Sequence, residues 1–181
     1  FHYDANAGQK TGAFLDQHAN YKAAERWAWK LSPGGRALDV CTYQGGFALH
    51  LARVSKSGTG IDASHASLEV AERNLAANRD KFSAEVDWVE GDAFAILRDW
   101  SSARGQFDTI VLDPPRAGAA AQIEQIAKSE AARVIYVSCN PASFARDART
   151  LIDGGYKLGP VTPVDQFLWS AQLELAAQFE R

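Results

Sequence analysis

The chain has 181 residues, of which 46% are hydrophobic and 23% charged, and its net charge at pH 7 is -3. This size and composition predict one soluble globular domain with a single core. They exclude a membrane protein, since no apolar run approaches the roughly 20 residues of a membrane span, and the first residues lack the regions of a signal peptide.

The cysteine, methionine and charge content bears on the cellular setting. The two cysteines, Cys41 and Cys139, argue against a disulfide framework and favour a reduced, cytoplasmic setting. The absence of methionine indicates an internal or trimmed segment of a longer protein. Because nucleic-acid-binding domains usually display a basic face, the negative net charge argues mildly against a large nucleic-acid footprint on this chain.

Strand and helix patterns alternate along the chain. After a polar segment over residues 1–18, an amphipathic helix is predicted from Asn20 to Leu31, and Ser32-Pro33-Gly34-Gly35 ends it. The predicted strands are Ala37–Val40, Gly60–Ile61 with its flanks, Val86–Val89, Thr109–Leu112 and Val134–Val137. The predicted helices lie near residues 46–54, 65–79, 93–100, 119–130 and 142–152.

This alternation predicts an α/β fold, with a mostly parallel twisted sheet covered by helices on both faces. The last two predicted strands, Lys157–Phe167 and Ser170–Phe179, have a short turn between them. They predict a C-terminal antiparallel hairpin at the edge of the sheet. The pattern shows no domain boundary within residues 1–181, and the helix that ends near residue 31 is expected to pack on the core.

The end of the first predicted strand carries residues suited to a ligand. Asp39 lies in the strand, and Tyr43, Gly45, Gly46 and Phe47 follow it. Ligands of open α/β sheets bind at the carboxyl ends of the strands. The two glycines permit a close approach of the backbone to a ligand, or equally a tight turn, and both interpretations stay open.

The second and third strand ends each carry an acidic residue. In Gly60-Ile61-Asp62-Ala63, the acid lies about 20 residues after the glycine turn, where it can bind ribose hydroxyls. In Gly91-Asp92-Ala93, the acid can accept a hydrogen bond from an adenine amino group or cap the next helix. A dinucleotide-binding dehydrogenase would instead prefer Gly-x-Gly-x-x-Gly, which this sequence lacks.

In this order, the three strand ends resemble motifs I to III of the class I methyltransferases that use S-adenosylmethionine (SAM), and the resemblance covers almost the whole chain. It implies a Rossmann-like methyltransferase fold and SAM as the cofactor, without a metal. The residues implied to bind the cofactor at these strand ends are Asp39, Tyr43, Gly45, Gly46, Phe47, Asp62, Ala63, Asp92 and Ala93. Cys41, within motif I, is interpreted as packing or pocket lining.

The fourth and fifth strand ends point to the chemistry. The fourth runs into Asp113-Pro114-Pro115-Arg116-Ala117-Gly118, a turn that the prolines make rigid. The fifth runs into Ser138-Cys139-Asn140-Pro141. A lone cysteine is usually a small core residue, but Cys139 lies beside the predicted cofactor crevice and before a helix N-terminus, which is a setting that lowers the pKa of a thiol.

Different parts of the chain resemble two related families. The sequences that follow the fourth and fifth strands, together with Gly-Tyr-x-Leu and Pro-Val-Asp-x-Phe within residues 155–167, resemble the RNA 5-methyluridine methyltransferases. Residues 9–17 resemble instead the ribosomal-RNA 5-methylcytosine enzymes, which implies that Lys10, Thr11 and Gln17 help to bind the cofactor. Gln17 and Asn20 are candidates to hold either the cofactor or the target base. The resemblance implies RNA, first of all ribosomal RNA, as the substrate, and leaves cytidine and uridine both open. An RNA-binding domain is expected in the longer protein.

The family chemistry implies a role for three side chains. Carbon 5 of a pyrimidine is a poor nucleophile until a thiolate adds at carbon 6, and a base must later remove the carbon-5 proton. Cys139 is the implied nucleophile, Glu174 the implied base, and Asp113 a contact to the target base or the cofactor. Trp169 and Gln172 stand where the family usually has histidines. Glu174 could therefore lie merely on the polar face of an edge strand.

Two other functions stay open from the sequence. Methylation of a small molecule suits the mild acidity of the chain, and a SAM-binding scaffold without catalysis would explain the altered surroundings of Glu174. The sequence does not indicate an oligomeric state.

Overall fold

The computed structural model describes residues 17–31, 34–100, 107–164, 169 and 173–181. In chain order its elements are α1 (His18–Leu31), β1 (Arg36–Val40), α2 (Gly46–Leu51), β2 (Ser57–Asp62), α3 (His65–Ala77), a short 3₁₀ helix (Arg79–Lys81), β3 (Glu85–Glu90), α4 (Ala93–Trp100), β4 (Thr109–Leu112), α5 (Ala120–Ile126), β5 (Arg133–Ser138), α6 (Pro141–Asp153), β6 (Lys157–Val164) and β7 (Glu174–Glu180).

All the predicted elements are present, and the differences lie at their ends. Helix α1 begins at His18 rather than at Asn20, while α2 and α5 end at Leu51 and Ile126, earlier than predicted. Each of these two helices ends on buried leucine or isoleucine that anchors it to the core. None of the helices in the described ranges is long and apolar enough to cross a bilayer.

The seven strands form one sheet in the order β3-β2-β1-β4-β5-β7-β6. The first five strands pair in parallel, whereas β7 pairs antiparallel with both β5 and β6. This is the Rossmann-like arrangement predicted, with the hairpin at one edge of the sheet. Strand β7 is antiparallel to β5. Its first residue, Glu174, therefore lies on the side of the sheet where the parallel strands have their carboxyl ends.

The sheet is covered by apolar layers on both faces. One cluster joins the sheet to α4, α5 and α6, and includes Ile123, Phe144 and Leu151. The other joins it to α1 and α2 through Ala24, Ala28 and other residues. Small alanines let α1 lie close to the sheet, and their burial leaves the opposite side of α1 to solvent.

Helix α6 begins directly after the fifth strand for a local reason. Asn140 has an extended backbone and its side chain accepts a hydrogen bond from the N–H of Ala142, so it caps the helix. Pro141 follows at the first helical position, where its missing N–H costs nothing. Cys139 is thereby held between the end of β5 and the start of α6.

Candidate active site

Asp39 organises the loop between β1 and α2. Its side chain is 1% exposed, and its Oδ2 accepts hydrogen bonds from the hydroxyl of Thr42 (2.6 Å) and the N–H of Ala48 (2.8 Å). Burial raises the pKa of Asp39 from 3.8 to about 7, against the effect of these hydrogen bonds. The other oxygen, Oδ1, has no hydrogen-bond partner among the described residues. Asp39 thus stabilises the loop between β1 and α2 through its hydrogen bonds to Thr42 and Ala48.

Aromatic packing explains the two glycines of this loop. Gly45 has φ of +83°, and a Cβ atom there would come within 2.8 Å of the Trp88 ring. A Cβ atom on Gly46 would come within 2.5 Å of the Tyr21 ring. The absence of side chains at Gly45 and Gly46 therefore lets the turn pack against rings of the protein itself, and the approach of a cofactor to its other side stays a prediction. Phe47, 4% exposed, packs edge-on against Tyr21 in the core.

Asp62, Ala63, Asp92 and Ala93 lie at the neighbouring strand ends, as their spacing predicts. The carboxylate of Asp62 accepts hydrogen bonds from the N–H groups of Tyr43 (2.8 Å) and Ser64 (2.9 Å), which fixes it at the rim of the β1–α2 loop. Asp92 is exposed and accepts a hydrogen bond from the N–H of Ala95 (2.8 Å), so it does cap α4. Each carboxylate keeps lone pairs that can accept further hydrogen bonds.

Asp113, Cys139 and Glu174 come together at the same edge of the sheet. Asp113 follows β4 and Cys139 follows the neighbouring β5, while Glu174 begins β7 directly beside the end of β5, where Ser138 pairs with Leu175. Glu174 is only 8% exposed, and β7 is an inner strand between β5 and β6. The alternative that Glu174 lies on the polar face of an edge strand is therefore wrong.

A hydrogen-bonded chain connects helix α1 to this cluster. The Nδ2 of Asn20 donates to Oε1 of Gln17 (2.8 Å), and Nε2 of Gln17 donates to Oδ2 of Asp113 (3.2 Å). Both amide side chains are buried. Gln17 therefore lies beside Asp113, at the cluster that also contains Cys139 and Glu174. Lys10 and Thr11 lie outside the described residues.

The electrostatics at Cys139 differ from the prediction. A helix N-terminus was expected to lower the pKa of this thiol, but the pKa is raised. Burial is the largest cause, followed by the carboxylates of Glu174 and Asp113, while Arg116 acts in the opposite direction. Two neighbouring negative charges and loss of solvent outweigh the favourable end of α6. Burial, again the largest cause, raises the pKa of Cys41 to about 12.

Helix α6 also holds the loop that carries Asp113 and Arg116, a feature that sequence reasoning missed. Nδ2 of Asn140 donates to the carbonyl of Arg116 (2.9 Å), and Nη2 of Arg146 donates to the carbonyl of Ala117 (2.9 Å). Asp147 accepts the N–H of Ala119 (2.8 Å) through Oδ2. The signal in the sequence was an acidic residue at a position of α6 that faces the core.

Comparisons with known proteins identify the family. A family model described as tRNA (uracil-5-)-methyltransferase matches residues 22–181. The chain belongs to the tRNA (uracil-5-)-methyltransferase family. Among its relatives, an uncharacterized RNA methyltransferase of Mesorhizobium japonicum is 37% identical over 94% of this chain and 41% of its own length. The 23S rRNA (uracil(1939)-C(5))-methyltransferase of Vibrio vulnificus is 37% identical over 81% of this chain and 33% of its own length.

Solved structures agree with the family and the fold. The Pyrococcus abyssi tRNA (uracil-54, C5)-methyltransferase, in complex with S-adenosyl-L-homocysteine, superposes with a TM-score of 0.73 at 26% identity, covering 96% of this chain and 40% of that one. A putative SAM-dependent methyltransferase from Streptococcus mutans has a TM-score of 0.78 at 17% identity, over 96% of this chain and 51% of that one, which shows the fold alone. The chain thus spans one-third to two-fifths of the curated relatives described above.

The residues of this family member fit SAM chemically. Asp62 and Asp92 have carboxylate oxygens at adjacent strand ends, which could accept hydrogen bonds from ribose hydroxyls and from an amino group. The turn from Cys41 to Gly45, with positive φ at Cys41 (65°), Tyr43 (50°) and Gly45 (83°), curls the backbone beside them. Hydroxyl and amine donors need such carboxylate acceptors, so the donor and acceptor chemistry matches.

Proposed function

We propose that this protein methylates carbon 5 of uridine in RNA, with SAM as the methyl donor. The observation that carries the proposal is the cluster of Cys139, Glu174 and Asp113 at one edge of the sheet, in a chain of this family. The activities in the names of the relatives support uridine over cytidine, and ribosomal RNA as the substrate. The cytoplasmic setting and the additional RNA-binding domain stay predictions.

The proposed reaction begins at the thiol of Cys139. Its sulfur forms a bond to carbon 6 while the thiol proton passes to solvent, and the electron pair of the 5,6 double bond moves into an enolate over carbon 5 and the carbonyl at carbon 4. SAM, when bound, would supply an electrophilic methyl group to carbon 5, with S-adenosylhomocysteine as the leaving group. Glu174 then accepts the proton from carbon 5, the double bond forms again, and the thiolate of Cys139 leaves.

The raised pKa of Cys139 suits this sequence of steps. A thiol with a raised pKa stays protonated in the free protein and is protected from unrelated electrophiles. Burial is the largest cause of the raised pKa, and the next is the carboxylate of Glu174, the group needed later as the base. Glu174 is buried beside the end of β5, where its carboxylate can accept the carbon-5 proton. Glu174 would therefore help to keep the thiol of Cys139 protonated and also supply the base.

The buried amide chain supports recognition of the uracil edge. Asn20 fixes the Oε1 of Gln17 as an acceptor, so the NH₂ group of Gln17 faces Asp113. A carboxylate that accepts the uracil N3–H, beside an amide that donates to O4, complements uracil. Cytosine presents an acceptor at N3 and a donor at its amino group, and it fits this pair less well.

Incubation with RNA that contains 5-fluorouridine tests the mechanism, because fluorine at carbon 5 cannot be removed as a proton. We expect a denaturant-stable protein–RNA adduct with the natural protein and with Cys41→Ala, the matched thiol control, but none with Cys139→Ala. Glu174→Gln should accumulate an adduct on ordinary uridine. Mass spectrometry of the nucleosides should show 5-methyluridine. Full methyl transfer by Cys139→Ala would refute the nucleophile, and 5-methylcytidine as the product would refute the substrate.

A further inference from the structure

An open groove of about 560 Å³ lies between α1 and the end of α2, outside the cluster of Cys139, Glu174 and Asp113. We call it the α1 groove. Its lining residues are Lys22, Glu25, Arg26 and Trp29 from α1, and His50, Arg53 and Val54 from α2 and the turn that follows it. Cations and an exposed aromatic ring thus share one concave surface.

The charge of the α1 groove is positive although the whole chain is negative. Glu25 contacts His50 (3.1 Å) and Arg53 (3.3 Å). Lys22 and Arg26 are exposed and form no ion pair with any residue in the described ranges. The net charge of the whole chain is -3, so these two cations form a local positive patch. Such a patch attracts phosphate.

Trp29 shares this side of α1. Positions 22, 26 and 29 are four and three residues apart and therefore lie on one face of the helix, while Ala24 and Ala28 face the core. Trp29 is 59% exposed, so its ring contributes little to the core. An indole ring beside free cations is the combination that binds single-stranded nucleic acid, where bases stack on the ring and phosphates contact the cations.

The direction of α1 relates the groove to the site. The helix begins at the site, where Gln17 contacts Asp113. At about 1.5 Å per residue, Lys22 lies about 8 Å and Trp29 about 18 Å along the helix axis from Gln17. The rise along the helix axis between these two residues, about 10 Å, matches about three stacked nucleotides at about 3.4 Å each.

We propose that the α1 groove binds single-stranded RNA that flanks the target uridine, with Lys22 and Arg26 on phosphates and Trp29 stacked on a base. This inference rests on the proposed function. Charge carries the choice of RNA as the occupant, because exposed Lys22 and Arg26, which form no ion pair with the described residues, attract phosphate on a chain whose net charge is negative. A groove on α1 would extend the substrate contact of the site beyond the reacting nucleotide.

Binding of a fluorescein-labelled oligouridine of about 12 nucleotides tests the proposal, because stacking and phosphate contacts are tolerant of sequence. The full-length protein carries Lys22→Gln with Arg26→Gln, and the matched control carries Lys128→Gln with Lys157→Gln, which removes two exposed cations elsewhere. Loss of two phosphate contacts should reduce the slope of log K against log salt by about 1.4 and weaken binding about 25-fold at about 0.1 M salt. Trp29→Ala should weaken binding about 5- to 150-fold.

Three outcomes decide the proposal. It is supported if the groove variants lose RNA affinity and salt dependence while SAM affinity and kcat at saturating RNA match the control. It is overturned if they bind RNA like the control, or if they lose only thermal stability, which would indicate that another segment of the protein occupies the groove. If the natural protein binds RNA but forms no 5-methyluridine, the proposed function fails and the groove is judged by binding alone.

Discussion

The carboxylate of Asp147 should be the main support of the loop that carries Asp113. It is 1% exposed and accepts hydrogen bonds from the N–H of Ala119 (2.8 Å) and the hydroxyl of Tyr136 (2.6 Å), and it pairs with Arg146 (2.8 Å). Asp147→Ala leaves two buried donors without this acceptor. At about 1–3 kcal/mol for each, we expect unfolding to become easier by about 2–6 kcal/mol. The half-exposed Arg146 adds little, because solvent screens the pair.

Tyr136→Phe is the matched comparison. It removes the 2.6 Å hydrogen bond but keeps the buried ring stacked on Phe144, and leaves Asp147 with Ala119 and Arg146. We expect a cost of about 1 kcal/mol. Asp147→Ala should also lower kcat at a temperature where the variant is folded, because the loop loses its anchor, whereas Tyr136→Phe should leave kcat nearly unchanged.

Urea unfolding followed by fluorescence measures both free energies, and methyl transfer to RNA measures kcat. If Asp147→Ala costs no more than Tyr136→Phe, the carboxylate does not hold the loop and the reasoning is refuted. If stability falls as expected while kcat at saturating RNA stays unchanged, Asp147 is structural and the position of the loop does not limit the reaction.

Three further outcomes follow from the site. Burial raises the pKa of Asp39 from 3.8 to about 7, so the native state holds a proton that the unfolded state releases. The protein is therefore most stable below pH 3.8 with respect to this group, and it loses about 4 kcal/mol of unfolding free energy as the pH rises through 7. Asp39→Asn should flatten the change in urea midpoint between pH 5 and pH 8, and an unchanged profile would contradict this. Gly46→Ala places a methyl group against the Tyr21 ring and should cost about 1–3 kcal/mol in thermal unfolding, partly restored by Tyr21→Leu; no loss would show that the ring moves freely. With its pKa near 12, Cys41 should react with iodoacetamide at pH 8 more slowly than Cys139, as peptide mass spectrometry can measure, and equal labelling would refute this order.

The strands and helices could be predicted because their signals are local. Thr109–Leu112, an apolar run before Asp113-Pro114-Pro115, was predicted as a strand and is one with the same bounds. Asp62 and Asp92 were placed at neighbouring strand ends for the same reason, since parallel strands of one sheet end at one edge. Helix ends were less certain where no capping residue marks them, as at the end of α5.

Other properties of the site depend on residues far apart in the chain. The burial of Glu174 follows from β7 entering between β5 and β6, which no residue near Glu174 indicates. The glycine turn is tight because Tyr21 and Trp88, from distant elements, close against Gly46 and Gly45. The hold of α6 on the loop after β4 is likewise a contact between elements and has no local pattern.

The sequence by itself determined the order of strands and helices, and the cysteine at the end of the fifth strand, because hydrophobic period and turn residues act over a few positions. Only the tertiary structure decided how reactive that cysteine is. The helix start after Cys139 is local and predicts a lower pKa, but the burial of the thiol and the charges of Glu174 and Asp113 come from packed neighbours and raise it. Desolvation and Coulomb effects depend on distance in space, which the order of residues does not specify.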